Sequence, residues 1–331
     1  MRIAILGATS QIAKDLVLAF SKQDRHELVL FARRPEIVTQ WLTSVDLSER
    51  HAVSDFSAFS TGTHFDALLN FVGVGDPVQA AVMGASIFDV TLKYDQLALS
   101  YLEYHPLCRY IFLSSGAAYG SSFEAPVDKN SNARVAINNL QPQDWYAVAK
   151  LYAECRHRSL AQLPIIDIRV FNYFSHTQDM SARFLITDIF RAIRDKTVLK
   201  TSSDYIVRDF INPSDFYKLV IALLMSPATN AVVDCYSKAP IDKPTLLAAM
   251  QEKYGLQYDI VETAIAINAT GSKPYYYSRN TRAADFGYLP SMTSLEGLIE
   301  EINAILLVDK LSHTDFEPVT QLSMPCKLLW S

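Results

Sequence analysis

The chain has 331 residues, half of them hydrophobic, and carries 30 basic against 35 acidic side chains for a net charge of −5. That is enough apolar material for one large domain or two modest ones, and the absence of a basic tract argues against a nucleic-acid or anionic-membrane partner. Its four cysteines (Cys108, Cys155, Cys235, Cys326) are scattered with no C-x-x-C pair, which argues against a zinc site or a disulfide framework and fits a reducing cytoplasm. The longest apolar runs, such as KLVIALLM at 218–225, are too short to span a bilayer. A strand-like run already begins at residue 2, so no secretory leader is expected.

In chain order, RIAIL (2–6), ELVLFA (27–32), HAVSD (51–55), ALLNFVG (67–73), RYIFLSS (109–115) and PIIDIRVF (164–171) read as short, continuously apolar strands buried on both faces. Helical stretches at 12–22, 88–104 and 145–161 lie between them. This alternation predicts a doubly wound parallel sheet with right-handed crossovers. After residue 172 the rhythm loosens into a helix at 182–194, a strand-like AVVDCYS (231–237), and helices near 244–254 and 292–306. The apolar end of the tail at 307–331 implies that it docks.

The first strand runs into GATSQIA (7–13). A strand, a tight turn and a helix bring backbone N–H groups and a positive helix end to one point, which is a phosphate site. Gly7 supplies the turn, Ala13 the small packing residue, and Ser10 stands where a second glycine would allow close pyrophosphate approach. Taken alone, the stretch fits a cofactor loop and a plain strand-to-helix corner equally. The second strand ends in ARRPE, and Arg33 and Arg34 can clamp a 2′-phosphate, although a solvated arginine pair at a strand end has the same sequence. Asp55 and Phe56 would flank the adenine, and Phe71, Val72 and Gly73 would pass along the ribose and phosphates.

WYAVAK places Tyr146 and Lys150 four apart on one helix face. A neighbouring ammonium and a nicotinamide cation would lower the phenol's pKa toward working pH; an amphipathic helix with an exposed lysine is the plain alternative. FLSSGAAYG (112–120) puts Ser115 at a strand C-terminus, where doubly wound sheets place ligands, and where serines also serve merely to start loops. The histidines show no metal spacing and read as ordinary surface or capping residues. Asp209 reads as a structural partner rather than a base.

The ordered set of glycine turn, S-S-x-x-x-Y-G and Y-x-x-x-K resembles the extended short-chain dehydrogenase/reductases, in their nucleotide-sugar epimerase/dehydratase/reductase branch, over about residues 1–305. The resemblance implies an α/β fold: a Rossmann domain at 1–171 to which 206–236 contributes back, and a smaller, mostly helical substrate domain from 172–205 and 237–306. It implies catalysis by Ser115, Tyr146 and Lys150. Cofactor contacts would come from Gly7, Thr9, Ser10, Gln11, Ile12, Tyr146, Lys150, and the backbones of Phe171 and Tyr173. IRVFNYFS (168–175) is similar to the strand before the sugar-nucleotide site and makes Asn172 a substrate contact. VRDFINPSD (207–215) makes Arg208 the contact for a substrate diphosphate. RNTRAADFGYLPSMTSLEGL (279–298) is similar to the family's closing segment.

Departures are Ser10 for glycine, Ala149 for the serine before the lysine, and Asn212-Pro213 for His-Val. Gly116 and Ala117 occupy the positions of a dehydratase's acidic pair, which disfavours dehydration. The reading is an NADPH-dependent reductase of a nucleotide-linked keto-sugar, for preference a 4-keto-6-deoxyhexose, acting in the cytoplasm as a homodimer, with NAD as the alternative cofactor. A 4-epimerase with retained cofactor is the first rival. A non-catalytic NADP sensor is the second, and it would have little use for the tyrosine–lysine pair.

Overall fold

The computed structural model describes residues 1–23, 25–74, 80, 82–261 and 273–314. Seven strands form one parallel sheet: β1 (Arg2–Leu6), β2 (Glu27–Phe31), β3 (Ala52–Ser54), β4 (Ala67–Asn70), β5 (Arg109–Ser115), β6 (Ile165–Val170) and, after four short strands, β11 (Ala231–Asp234). Their order is β11-β6-β5-β4-β1-β2-β3. The order reverses between β1 and β4, so the switch point, where such sheets bind ligands, lies at the C-terminal ends of these two strands. The helices are α1 (Gln11–Ser21), α2 (Pro35–Ser44), α3 (Ser86–Tyr104), α4 (Trp145–Ser159), α5 (Leu185–Asp195), α6 (Pro213–Met225), α7 (Lys243–Tyr254) and α8 (Ser294–Thr314).

Alternate strand residues feed two cores. Ile3, Ile5, Leu28, Leu30 and Leu69 pack with Leu16, Val17 and Phe20 of α1 and Phe216 and Leu219 of α6. Ala4, Leu6, Val29, Phe31 and Leu68 pack with Leu99, Tyr101 and Leu102 of α3 and Ala153 of α4. Burying both faces explains the continuous apolar runs, and each fully buried Ile, Leu or Phe contributes roughly 1.5–3 kcal/mol. A third core joins Phe174, Ile189 and Phe190 of α5, Leu246, Leu247 and Met250 of α7, and Leu298 and Ile302 of α8.

Three small sheets accompany the third core: β10 (Phe210–Ile211) with β7 (Asn172–Tyr173), β12 (Ile241–Asp242) with β9 (Val207–Arg208) and β14 (Tyr275–Tyr276), and β13 (Gln257–Ile260) with β8 (Val198–Thr201).

Three local features differ from the sequence reading. β4 stops at Asn70, whose side chain turns inward to accept Val72 N–H at 3.0 Å and to donate to the Tyr110 hydroxyl at 2.9 Å. Helix α8 continues to Thr314, so the first part of the 307–331 tail is helical; residues 315–331 lie outside the described residues. His157, expected at the surface, is fully buried. Its ring bridges Asp167 through Nδ1 at 2.6 Å and Asp95 through Nε2 at 2.7 Å, tying α4 to β6 and α3. Arg156 and Arg158 pair with the same two carboxylates at 2.7 and 2.8 Å. Burial opposes a charged ring, but Asp167 and Asp95 outweigh it and raise the His157 pKa to about 9.

The Asn212-Pro213 departure has a structural use. The Asn212 side chain accepts Asp215 N–H at 2.9 Å as the cap of α6, and Pro213 occupies the first turn.

Candidate active site

Gly7 leaves β1 with φ +84°, and a Cβ there would lie 2.8 Å from Val72 N and 2.9 Å from the Phe71 carbonyl carbon. Only glycine fits, because the ends of β1 and β4 approach backbone to backbone. Ser10 is the N-cap of α1, yet its hydroxyl makes no capping hydrogen bond, and no acidic residue lies in the first turn. Neither a capping side chain nor a first-turn acid thus occupies the positive helix end at the switch point. This corner fits a pyrophosphate, and with it the dinucleotide that the sequence implies. Thr9 is exposed beside it. Ile12 packs into the core, and Gln11 Nε2 donates to Ser175 Oγ at 2.7 Å, so the Gln11 side chain ties α1 to the loop after β7 instead of facing a cofactor.

Arg33 and Arg34 follow β2, and Pro35 opens α2 immediately after them. Both guanidinium groups are exposed at the C-terminal edge of the sheet. Asp55 caps the turn after β3, accepting Ser57 N–H at 2.7 Å, and these hydrogen bonds hold its carboxyl below the usual range. Phe56 packs against Tyr94 at 4.5 Å.

Ser115 ends β5, and its Oγ accepts Ala117 N–H at 3.1 Å. Lys150 reaches β5 from α4. Its ammonium is buried, donates to the Leu113 carbonyl at 2.7 Å, and lies 4.4 Å from the Phe112 ring centroid and 5.8 Å from that of Tyr146. It also sits 3.5 Å from where a Gly73 side chain would begin, so β4's end, β5 and α4 meet at this nitrogen. Burial lowers the Lys150 pKa to about 8, with the Glu154, Asp167 and Asp95 carboxylates opposing. For Tyr146, burial raises the pKa and a hydrogen bond with Ser115 works against it. The expected lowering by the lysine is therefore not present in the chain alone, because desolvation of the phenolate dominates.

Beneath the site, Glu154 accepts from Ser114 Oγ at 2.5 Å and from Arg169 Nε at 3.0 Å, which fixes the floor under Lys150.

The opposite wall is less as expected. Asn172 Nδ2 donates to the Asp209 and Tyr276 carbonyls, both at 3.3 Å, so its amide braces two strands. Arg208 Nη1 donates to the Val207 and Lys273 carbonyls at 2.8 and 2.7 Å, and burial lowers its pKa to about 10. The Tyr173 hydroxyl donates to Asp15 of α1 at 2.8 Å, which ties the short strand β7 to the first helix. Phe171 packs on Gly116, where a Cβ would come within 2.4 Å of the ring. Asp209 is buried and accepts Ser237 N–H and the Ser294 hydroxyl at 3.0 and 2.9 Å, a structural role.

Two residues at this wall escaped the sequence reading. Tyr276 places its hydroxyl 3.3 Å from Ser115 Oγ. Lys273 Nζ lies 4.8 Å from the Tyr276 ring centroid, with a pKa that burial, helped by Arg208, lowers to about 8. The only local signal was the KPYYYS run at 273–278, which carries no recognisable spacing.

A doubly wound sheet with a glycine corner at its switch point, and a strand-end serine beside a helical tyrosine–lysine pair, defines an extended short-chain dehydrogenase/reductase, an NAD(P)-dependent enzyme. The chain belongs to the NAD dependent epimerase/dehydratase family, whose model matches residues 3–236.

Solved structures of similar fold include UDP-glucuronic acid 4-epimerase from Bacillus cereus in complex with UDP-glucuronic acid and NAD, at 16% identity and TM-score 0.72 over 93% of this chain and 100% of that one. UDP-glucose 4-epimerase from Thermotoga maritima with UDP-glucose aligns at 14% identity and TM-score 0.74, covering 93% and 99%. dTDP-glucose 4,6-dehydratase from Bacillus anthracis with NAD aligns at 14% and 0.74, covering 94% and 98%. A search of curated protein sequences gives no match. Among the described residues no helix is long and apolar enough to cross a membrane.

Proposed function

We propose that this enzyme reduces the keto group of a nucleotide-diphosphate sugar, a 4-keto-6-deoxyhexose for preference, with NADPH. Bound NADPH supplies the hydride. Tyr146 gives its proton to the carbonyl oxygen, Ser115 orients that oxygen, and Lys150 supports the phenol's acidity and holds the ribose hydroxyls. The approach of Tyr146 to Ser115, with the Lys150 ammonium 5.8 Å from the Tyr146 ring and next to Gly73, carries this reading.

The cofactor preference rests on Arg33 and Arg34, exposed and paired at the end of β2 where a 2′-phosphate would lie. On this reading residues 1–171 with 206–236 bind the cofactor, while 172–205 and 237–306 enclose the sugar nucleotide. A homodimer through α3 and α4 is part of it; Leu92 and Tyr152 are large apolar residues exposed on those helices.

A 4-epimerase remains the second reading, since the same three residues serve it and two of the similar folds are those of 4-epimerases. Dehydration is disfavoured by Gly116, where the Phe171 ring occupies the space that an acidic side chain would need.

The test combines ligand-dependent thermal shifts with a variant. NADP is expected to raise the melting midpoint more than NAD at equal concentration, since stabilisation follows affinity. Tyr146→Phe is expected to lower turnover by about 10³-fold or more while leaving the NADP shift intact. Near-normal turnover of Tyr146→Phe would overturn the assignment.

A further inference from the structure

We infer that Tyr276 is a further catalytic residue, whose hydroxyl donates a hydrogen bond to the reacting oxygen of the substrate together with Ser115. This rests on the reading of Ser115 and Tyr146 given above and extends it to a residue from a distant part of the chain.

The first observation is position. The Tyr276 hydroxyl lies 3.3 Å from Ser115 Oγ, and Tyr146 is near enough for the same serine to work against the burial shift of its phenol. Three hydroxyl groups thus converge at the end of β5. Ordinary O–H···O contacts are about 2.7–2.8 Å, so the Ser115–Tyr276 pair is loose and neither proton is firmly committed. A substrate oxygen arriving at Ser115 meets both groups. Ser115 already accepts Ala117 N–H and has a single proton to give, and Tyr146 gives its own away in the reaction, so a further donor that keeps its proton must come from another neighbour.

Preorganisation is the second observation. The Tyr276 ring stands edge-on to Phe123 at 4.8 Å and tilts against Phe171 at 5.2 Å. Its backbone pairs with Arg208 in the β14–β9 ladder, and its carbonyl is held by Asn172. A tyrosine clamped through ring and backbone, with only its hydroxyl aimed at the serine, pays little reorganisation when charge develops on the substrate oxygen.

Burial raises the pKa of both phenols, and that of Tyr276 the further. Burial carries the Tyr276 pKa well above that of a free phenol, with the Ser115 hydrogen bond and Arg208 only partly offsetting it. Tyr276 therefore keeps its proton throughout and acts as a donor, while Tyr146 transfers one. In the balanced step, hydride adds to the carbonyl carbon and the C=O π pair takes the Tyr146 proton. The Tyr276 O–H bond stays whole.

The test uses Tyr276→Phe, which removes the hydroxyl and keeps the ring packing, with dTDP-4-keto-6-deoxyglucose and NADPH as the probe pair. kcat is expected to fall on the order of 10²-fold, as for loss of one oxyanion donor. KM for the sugar nucleotide and the NADPH Kd are expected to stay within about twofold of wild type and the melting midpoint to stay unchanged, a split that a merely structural role would not give. Ser115→Ala combined with Tyr276→Phe is expected to cost less than the product of the single losses.

Wild-type kcat in Tyr276→Phe, with Tyr146→Phe inactive, overturns the Tyr276 assignment alone. An active Tyr146→Phe overturns the reading of the reaction and this assignment with it. Should Tyr276→Phe not fold, the tyrosine 13Cζ resonances decide the matter when Ser115→Ala is added to Tyr146→Phe: one is expected to move, and an unchanged spectrum overturns the contact.

Discussion

At the β1–α1 corner the groups that would shape a cofactor site lie within a few residues of one another or on adjacent strands, whereas Tyr276 meets Ser115 across 161 positions of sequence. The corner is a backbone site. Gly7 is fixed by the approach of Phe71 and Val72, and the helix end is left open by an uncommitted Ser10. The opposite wall is a side-chain site, assembled from β7, β9 and β14 and braced by Asn172. A backbone site tolerates change only where no Cβ intrudes, so Ser10 can replace a glycine while Gly7 cannot be replaced. A side-chain site can change its chemistry one residue at a time, and this is where the identity of the sugar nucleotide would be decided.

The sharpest way to break this contrast is Gly7→Ala. The methyl group would collide with backbone that cannot swing aside, and the residue would be held at φ +84°. Cofactor affinity should fall by more than about 100-fold, with a stability loss of about 1–3 kcal/mol. Titration of cofactor fluorescence and urea unfolding measure the two effects; Ser10→Gly, by contrast, should leave affinity within about threefold.

The charge cluster beneath α4 gives the next largest effect. His157 titrates near its ordinary value when unfolded and at about 9 when folded, so its contribution is fully present below pH 6.5 and is lost as pH rises through about 9. The loss between pH 6 and pH 10 should be on the order of 3 kcal/mol, read as the pH dependence of the urea midpoint that wild type shows beyond His157→Gln, because Lys150 and Lys273, lowered to about 8, act in the opposite direction above pH 8. His157→Gln should flatten that dependence on a lower baseline; an unchanged slope would remove the charged ring from the account.

Smallest is the arginine pair. Arg33→Ala and Arg34→Ala should each weaken NADP by roughly tenfold through loss of a charge-assisted contact, and should leave NAD within about twofold. Equal losses for the two cofactors would place the arginines outside the 2′-phosphate site.

The comparison also marks what could be read from residues alone. The seven-stranded sheet was legible because Ile3, Ile5, Leu28, Leu30 and Leu69 alternate with Ala4, Leu6, Val29 and Leu68 toward two covered faces, which makes the inner strands continuously apolar. Tyr146 and Lys150 were legible because helical spacing is local, and Ser115 because β5 ends there. The direction of the Tyr146 pKa shift was not, since burial depends on what covers the ring.

Tyr276, Lys273 and the cage around His157 were hidden for a common reason: their partners come from remote segments, through strand pairing and helix packing that no spacing encodes. Gln11 and Arg208 illustrate the converse. Motif position identified them, but local hydrogen bonds decide where their side chains turn, to Ser175 and to the Val207 and Lys273 carbonyls.

The central claim is net reduction of a sugar nucleotide by exchangeable NADPH, and it is tested most directly by stoichiometry. Purified enzyme would be mixed with NADPH and dTDP-4-keto-6-deoxyglucose, with cofactor oxidation followed by absorbance and the sugar product by chromatography. The account predicts one NADPH consumed for each sugar reduced, through many turnovers, with cofactor exchanging freely. Interconversion of C4 epimers of a nucleotide sugar by a cofactor that stays bound, without net NADPH consumption, would contradict it.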